Sequence, residues 1–139
     1  MLMVSGMGLY LNYRAGKAYY TMELMTATHD RSWWNMIAIG STITLEAWDK
    51  KYKPNLDWNH AWGGAPANII PHHTWGIAPM VPGFEVVSIR PQLSHLRNTS
   101  ITVPTIRGQI NASYEFVSGR LQKYMIELPA NMAAECINF

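Results

Sequence analysis

The spacing of the apolar residues changes partway along the chain, and that change constrains the fold more than any single motif. Six tryptophans, at positions 33, 34, 48, 58, 62 and 75, all fall within the first 75 of 139 residues. From residue 110 the pattern is different: Ile110, Ala112, Tyr114 and Phe116 alternate with Asn111, Ser113 and Glu115, and Tyr124, Ile126 and Leu128 repeat the alternation. A two-residue period is that of a strand with one buried face. Ser118-Gly119 between the two runs predicts a hairpin turn. Val86 to Ile89, closed by Pro91, and Ile101 with Val103, closed by Pro104, predict two more strands. The second half is therefore expected to be antiparallel β, a sandwich or part of one.

The first half follows helical spacing. Tyr19, Met22, Leu24, Met25 and Ala27 recur about three and four residues apart. Asp30 is placed to cap a second helix carrying Trp33, Trp34, Met36 and Ile37, with Gly40 as its stop. Asp57 offers a cap for a segment through Trp62, but Gly63, Gly64 and Pro66 interrupt it. A helix from Pro66 to Trp75 fits better, because proline suits a first turn. Ser41 to Asn55 is a long non-helical stretch ending in the polar run Asp49-Lys50-Lys51-Tyr52-Lys53-Pro54, which reads as a solvated loop. The turn formers Ala78 to Gly83 mark a hinge. The expectation is an α+β chain, with residues 1–78 forming helices and loops and residues 79–139 forming the β domain.

Charged residues make up only 14% of the chain against 48% apolar, and globular domains average about 25% charged. The apolar content argues against disorder over most of the length, and so few charges predict packing against another surface, with self-association as one outcome. The net charge of +2 comes without a basic run, which argues against nucleic acid as a partner. No apolar stretch approaches the ~20 residues of a membrane span, and Met1-Leu2-Met3-Val4 lacks the basic start of a signal peptide; the compartment stays open. Cys136 is the single cysteine, so neither an intramolecular disulfide nor a cysteine zinc cluster is available. His72 and His73 are adjacent and diverge, which makes them a poor metal pair. No oxygen cluster suits calcium, and neither metal nor cofactor is expected. Gly6-Met7-Gly8 lacks the third glycine of a dinucleotide loop. Asn98-Thr99-Ser100 and Asn111-Ala112-Ser113 match the glycosylation sequon, which matters only in a eukaryotic secretory context.

What carries chemistry is a concentration of aromatic, acidic and amide residues between the helices: Glu46 and Trp48, then Asp57, Trp58, Asn59, His60 and Trp62. Sugars present apolar faces that stack on indole rings and hydroxyls that need donors and acceptors, so the mixture suits a carbohydrate. A core role for the tryptophans, with Glu46 a solvated loop residue, accounts for the same composition.

Leu24 to Ile37, then Gly40-Ser41-Thr42-Ile43-Thr44-Leu45-Glu46-Ala47-Trp48, then Asp57-Trp58-Asn59-His60-Ala61-Trp62-Gly63 resemble bacterial α-L-rhamnosidases. The likeness is to the end of their (α/α)6-barrel catalytic domain, and Pro79 to Phe139 resembles the start of the C-terminal β-sandwich. The resemblance implies a C-terminal fragment of a glycoside hydrolase that removes terminal α-L-rhamnosyl residues by inversion. It implies that Glu46 is the general base, that His60 contacts rhamnose, and that Trp48, Trp58 and Trp62 shape the pocket or pack behind it. In an inverting enzyme a second, protonated carboxyl stands about 6.5–9.5 Å from the base. The family's acid lies upstream of anything matched here, and residues 1–17 fit the family's helix pattern poorly. The isolated chain is thus expected to be weakly active or inactive, with a rhamnose-containing glycoside as its partner. A non-catalytic carbohydrate-binding or structural module is the alternative.

Overall fold

The structure, a computed structural model, describes residues 2–117 and 120–137, with side chains over 6–116 and 123–137. The chain divides into two compact units, Met1–Ile70 and Pro71–Phe139.

In the first unit, α1 spans Leu2–Arg14, α2 Ala18–Thr26 and α3 Trp33–Ala38. The segment expected to fit a helix pattern poorly is helical, as α1. Leu9 and Tyr13, four residues apart on one face, are 1% and 2% exposed and close a small core with Ile69. On α2, Thr21 and Met22 are buried. The N-cap of α3 is Ser32 rather than Asp30: the Ser32 hydroxyl accepts the Asn35 amide at 3.1 Å. Asp30 turns instead to Lys51, at 2.7 Å, and to the Tyr52 hydroxyl. The stop at Gly40 is as expected. With φ at +87°, Gly40 gives its amide to Ile37 O while Ser41 N donates to Met36 O, each at 3.0 Å. This crossed pair satisfies the last carbonyls of the helix.

No helix follows until Ala61, so Ser41 to Asn55 is non-helical as read. Leu45 within it and Leu56 just after it join Met36 in a second core, with Trp33, Ala47 and Trp48 packed against it. A 3-10 turn, Ala61–Gly64, leads into α4, Ala65–Ile69, and a π turn, Ile70–Thr74. Pro66 sits in the first turn of α4, where its missing N–H costs no hydrogen bond. Asp57 caps none of these; its Oδ1 accepts the Asn59 amide at 2.9 Å.

The second unit contains two three-stranded sheets. In one, the order is β1 (Ile77–Pro79), β2 (Val86–Ile89), β6 (Ala133–Cys136). In the other, β3 (Thr99–Thr105), β4 (Gly108–Val117) and β5 (Arg120–Glu127) pair antiparallel. Side chains from both sheets share one core: Ile77, Val87 and Ile89 from the first, Val103, Ile110 and Ala112 from the second, with Trp75 and Leu93. The unit is a small β-sandwich. Two features depart from expectation. β2 and β6 run parallel, and β1 runs from Ile77 into the segment read as a hinge. Neither strand has a sequence signal: β6 is exposed at all four positions, and β1 is three residues long. The turn expected at Ser118-Gly119 lies outside the described residues. The sequon asparagines are used within the sheet: Asn98 Oδ1 accepts the Phe116 amide at 2.9 Å, and Asn111 Oδ1 accepts from the Thr102 hydroxyl at 2.9 Å.

Candidate functional site

Thr44-Leu45-Glu46 and Asp57 to His60 lie side by side, joined like two rungs of an antiparallel ladder. The Glu46 amide donates to Asp57 O at 3.0 Å, and the His60 amide donates to Thr44 O at 2.9 Å. The Thr44 hydroxyl adds a bond to His60 O at 2.7 Å. Glu46 and His60, fourteen positions apart in sequence, are thereby held on neighbouring strands of one loop pair. Leu45, fully buried, anchors the carboxylate one residue away.

The Glu46 carboxylate has two partners. Lys53 Nζ donates to Oε1, and the Asp57 amide donates to Oε2 at 3.1 Å. Both favour the ionised form. The Lys53 ammonium, the larger influence, and the Asp57 amide hold this carboxyl below the usual glutamate range, and a charged His60 pulls the same way. Glu46 is an anion at neutral pH.

An open cavity of about 480 Å³ lies over this carboxylate, lined by Arg31, Glu46, Ala47, Trp48, Tyr52 and Lys53. Trp48 is half-buried and stands edge-on to Trp33, with ring centroids 4.9 Å apart at 87°. Trp33 in turn donates its Nε1 to Gly63 O at 2.7 Å, which ties the 46–48 segment to the turn after His60. Asn35 on α3 donates to Trp48 O at 2.9 Å and to Asp49 Oδ2 at 3.3 Å.

Glu46 and Trp48 therefore share a cavity. His60, Trp58 and Trp62 are not in its lining. The His60 and Trp62 rings are 6.3 Å apart, Trp62 is 68% exposed, and Trp58 is 40% exposed beneath the Lys50 ammonium. The polar run after Trp48 is mostly exposed, as expected, yet its charged side chains are engaged. Lys50 covers Trp58, Lys51 pairs with Asp30, and Lys53 reaches Glu46. Lys53, Arg31, Tyr52 and Asn35 are site residues that sequence reasoning missed, because each acquires its role only when the loop folds back on α3. Among the described residues no group of three or more His, Cys, Asp or Glu side chains converges as a metal site, and His72 and His73 sit on the π turn, half-buried. Among the described residues no helix is long and apolar enough to cross a membrane.

Two family models divide the chain between them: the bacterial α-L-rhamnosidase six-hairpin glycosidase domain matches residues 9–74, and the bacterial α-L-rhamnosidase C-terminal domain matches residues 76–137. The chain belongs to the bacterial α-L-rhamnosidases. An α-L-rhamnosidase of Alteromonas sp. (strain LOR) is 28% identical over 131 residues, 88% of this chain and 14% of that protein. The α-L-rhamnosidase of Streptomyces avermitilis, solved in complex with L-rhamnose, superposes with a TM-score of 0.76 at 23% identity, over 92% of this chain and 13% of that one. The enzyme of Dictyoglumus thermophilum does so with a TM-score of 0.80 at 17% identity, over 97% and 15%. The chain thus spans about one-seventh of the α-L-rhamnosidases it matches, and the α+β architecture is that of the end of their barrel followed by sandwich strands.

Proposed function

We propose that this chain supplies the general-base side of the sugar pocket in an inverting α-L-rhamnosidase acting on terminal α-L-rhamnosyl residues. The junction between the barrel and sandwich parts lies between Pro71 and Ala78. The observation that carries the reading is the Glu46 carboxylate, kept ionised by Lys53 and the Asp57 amide at the wall of an open cavity that also exposes Trp48. An ionised carboxylate can take a proton from water as the water attacks the anomeric carbon. Trp48 offers an apolar wall for the C–H face of the sugar. His60, held one rung away, hydrogen-bonds a rhamnose hydroxyl, while Trp58 and Trp62 complete the rim.

The general acid is a different residue and must be protonated at the working pH. Lys51 and Tyr52 draw Asp30 down to about 2, and the Lys51 amide and Asn35 lower Asp49; neither has the character of an acid. We assign that role to a residue outside these 139, so the chain alone turns over a rhamnoside weakly or not at all. General acid–base catalysis contributes about 10²–10⁴ in rate.

The test is a tryptophan-fluorescence titration with L-rhamnose, with L-fucose as control. A saturable change specific to rhamnose, lost in His60→Ala and Trp48→Ala, is expected. A flat titration in a chain that melts cooperatively refutes the site. Turnover of an aryl α-L-rhamnoside by this chain that vanishes in Glu46→Gln refutes the absent acid.

A further inference from the structure

The wall of the Glu46 cavity carries two cations, Arg31 and Lys53, against a single carboxylate. Lys53 is engaged by Glu46. Arg31 forms no ion pair among the described residues, although it bonds the Tyr52 side chain and feels the Asp30 charge beside it. Its neighbour Asp30 is occupied by Lys51 at 2.7 Å and by the Tyr52 hydroxyl. The Arg31 guanidinium instead lies 4.6 Å from the centroid of the Tyr52 ring. That ring is fixed at its hydroxyl end by Asp30, so it acts as a shelf that holds a planar, two-pronged donor at the edge of the cavity. A stacked guanidinium has already given up much of its rotational freedom, and its parallel N–H groups match the oxygens of a carboxylate or sulfate. A neutral sugar takes single hydrogen bonds from such a group, whereas an anionic one can take both prongs at once, on a wall that carries one cation beyond the Glu46–Lys53 pair.

We infer that Arg31, held on the Tyr52 ring at the wall of the Glu46 cavity, is a specificity residue recognising an anionic group, a carboxylate or a sulfate ester, on the rhamnosyl residue or the sugar next to it. This deepens the rhamnosidase reading and rests on it.

The test measures affinities of the 139-residue chain at low ionic strength for four kinds of ligand. These are methyl α-L-rhamnoside, a rhamnosyl-glucuronate disaccharide, a rhamnose monosulfate, and the rhamnose-free anions glucuronate and sulfate. At least one anionic rhamnoside is expected to bind about tenfold more tightly than the methyl rhamnoside, and which one identifies the anion. The advantage should shrink severalfold near 0.5 M salt, where screening lengths fall to a few ångströms. It should collapse toward parity in Arg31→Gln and persist in Lys123→Gln, which removes the same charge from β5. Should Arg31→Gln not melt cooperatively, Arg31→Lys serves instead: it keeps the charge, loses the fork, and should retain only part of the advantage. Equal affinity for neutral and anionic rhamnosides, or an advantage that survives Arg31→Gln, overturns the inference and leaves the rhamnoside reading standing. Rhamnose-free anions binding through Arg31 as tightly as their rhamnosides, with no affinity for methyl rhamnoside, overturn the rhamnoside reading and keep the anion site. A chain that melts cooperatively and binds none of them overturns both.

Discussion

Replacing Gly63 with alanine places a methyl group 2.8 Å from Thr44 Cβ, 3.1 Å from Thr44 Oγ1 and 3.2 Å from Leu45 O, where ordinary contact begins at 3.4 Å. None of these neighbours is free to retreat. Leu45 is fully buried, and Thr44 is bonded to His60 through both its hydroxyl and its carbonyl. Gly63 is held from its other side by Trp33 Nε1. Overpacking of this kind costs about 1–3 kcal/mol. For a unit of this size each kcal/mol lowers the melting temperature by about 4–8 °C, so a mid-range cost of ~2 kcal/mol lowers it by about 8–16 °C. The adjacent glycine makes the control. A Cβ on Gly64 meets nothing within 4 Å, and its φ of −79° suits any residue. Gly64→Ala should therefore shift the melt little, because the gain through the unfolded chain is offset by alanine's poorer fit at the N-cap of α4. Thermal melts followed by near-ultraviolet circular dichroism of the tryptophans read both. Because the strain in Gly63→Ala falls on the two residues before Glu46, its rhamnose titration should weaken as well. A Gly63→Ala melt within about 2 °C of the parent, or a Gly64→Ala loss as large as that of Gly63→Ala, would refute the reasoning.

Two further outcomes follow from the same structure. The Asp30 carboxyl is drawn from 3.8 to about 2, by Lys51 first and then Tyr52. Since the fold favours its ionised form, this stabilisation is complete above the ordinary value and is lost as pH falls from about 4 to about 2. The gap in urea midpoint between the parent and Asp30→Asn should therefore narrow across that interval, and a constant gap would show the pairing to be without effect. In the second unit, Ile110 is fully buried where the two sheets face each other. Ile110→Ala should cost about 2–5 kcal/mol in chemical denaturation, and a loss below 1 kcal/mol would mean that the sheets do not share a close-packed core.

Much of the second unit is readable from local pattern. The alternation at 110–116 identifies β4 because a half-buried strand leaves a two-residue trace whatever its neighbours are. The strands that escape notice, β1 and β6, are short, and β6 has no buried face. Their existence depends on backbone pairing to β2, which imposes no side-chain requirement. Gly40 is legible because a left-handed residue selects glycine, and Pro66 because a first helical turn tolerates proline. The N-cap of α3 is not legible: Asp30 and Ser32 are equally good caps two residues apart, and the choice is made by Lys51 and Tyr52, some twenty positions downstream.

The same division holds for the site. Glu46, Trp48 and His60 stand out in the sequence because their loop matches a family pattern and because their side chains are chemically unusual in a loop. The partners that give Glu46 its ionised state do not. Lys53 and Lys51 look alike in the run Asp49 to Lys53, and only the return of that run toward α3 sends one to Glu46 and the other to Asp30. The folded loop likewise gives the Asp30 carboxylate to Lys51 and lays the neighbouring Arg31 guanidinium on Tyr52. Sequence by itself determined the elements whose signals are local: strand alternation, helix stops, and the family motif around Glu46. Tertiary structure decided which charge meets which, because an ion pair is set by distance in space, and the side chains of a polar loop carry no periodicity from which that distance could be read.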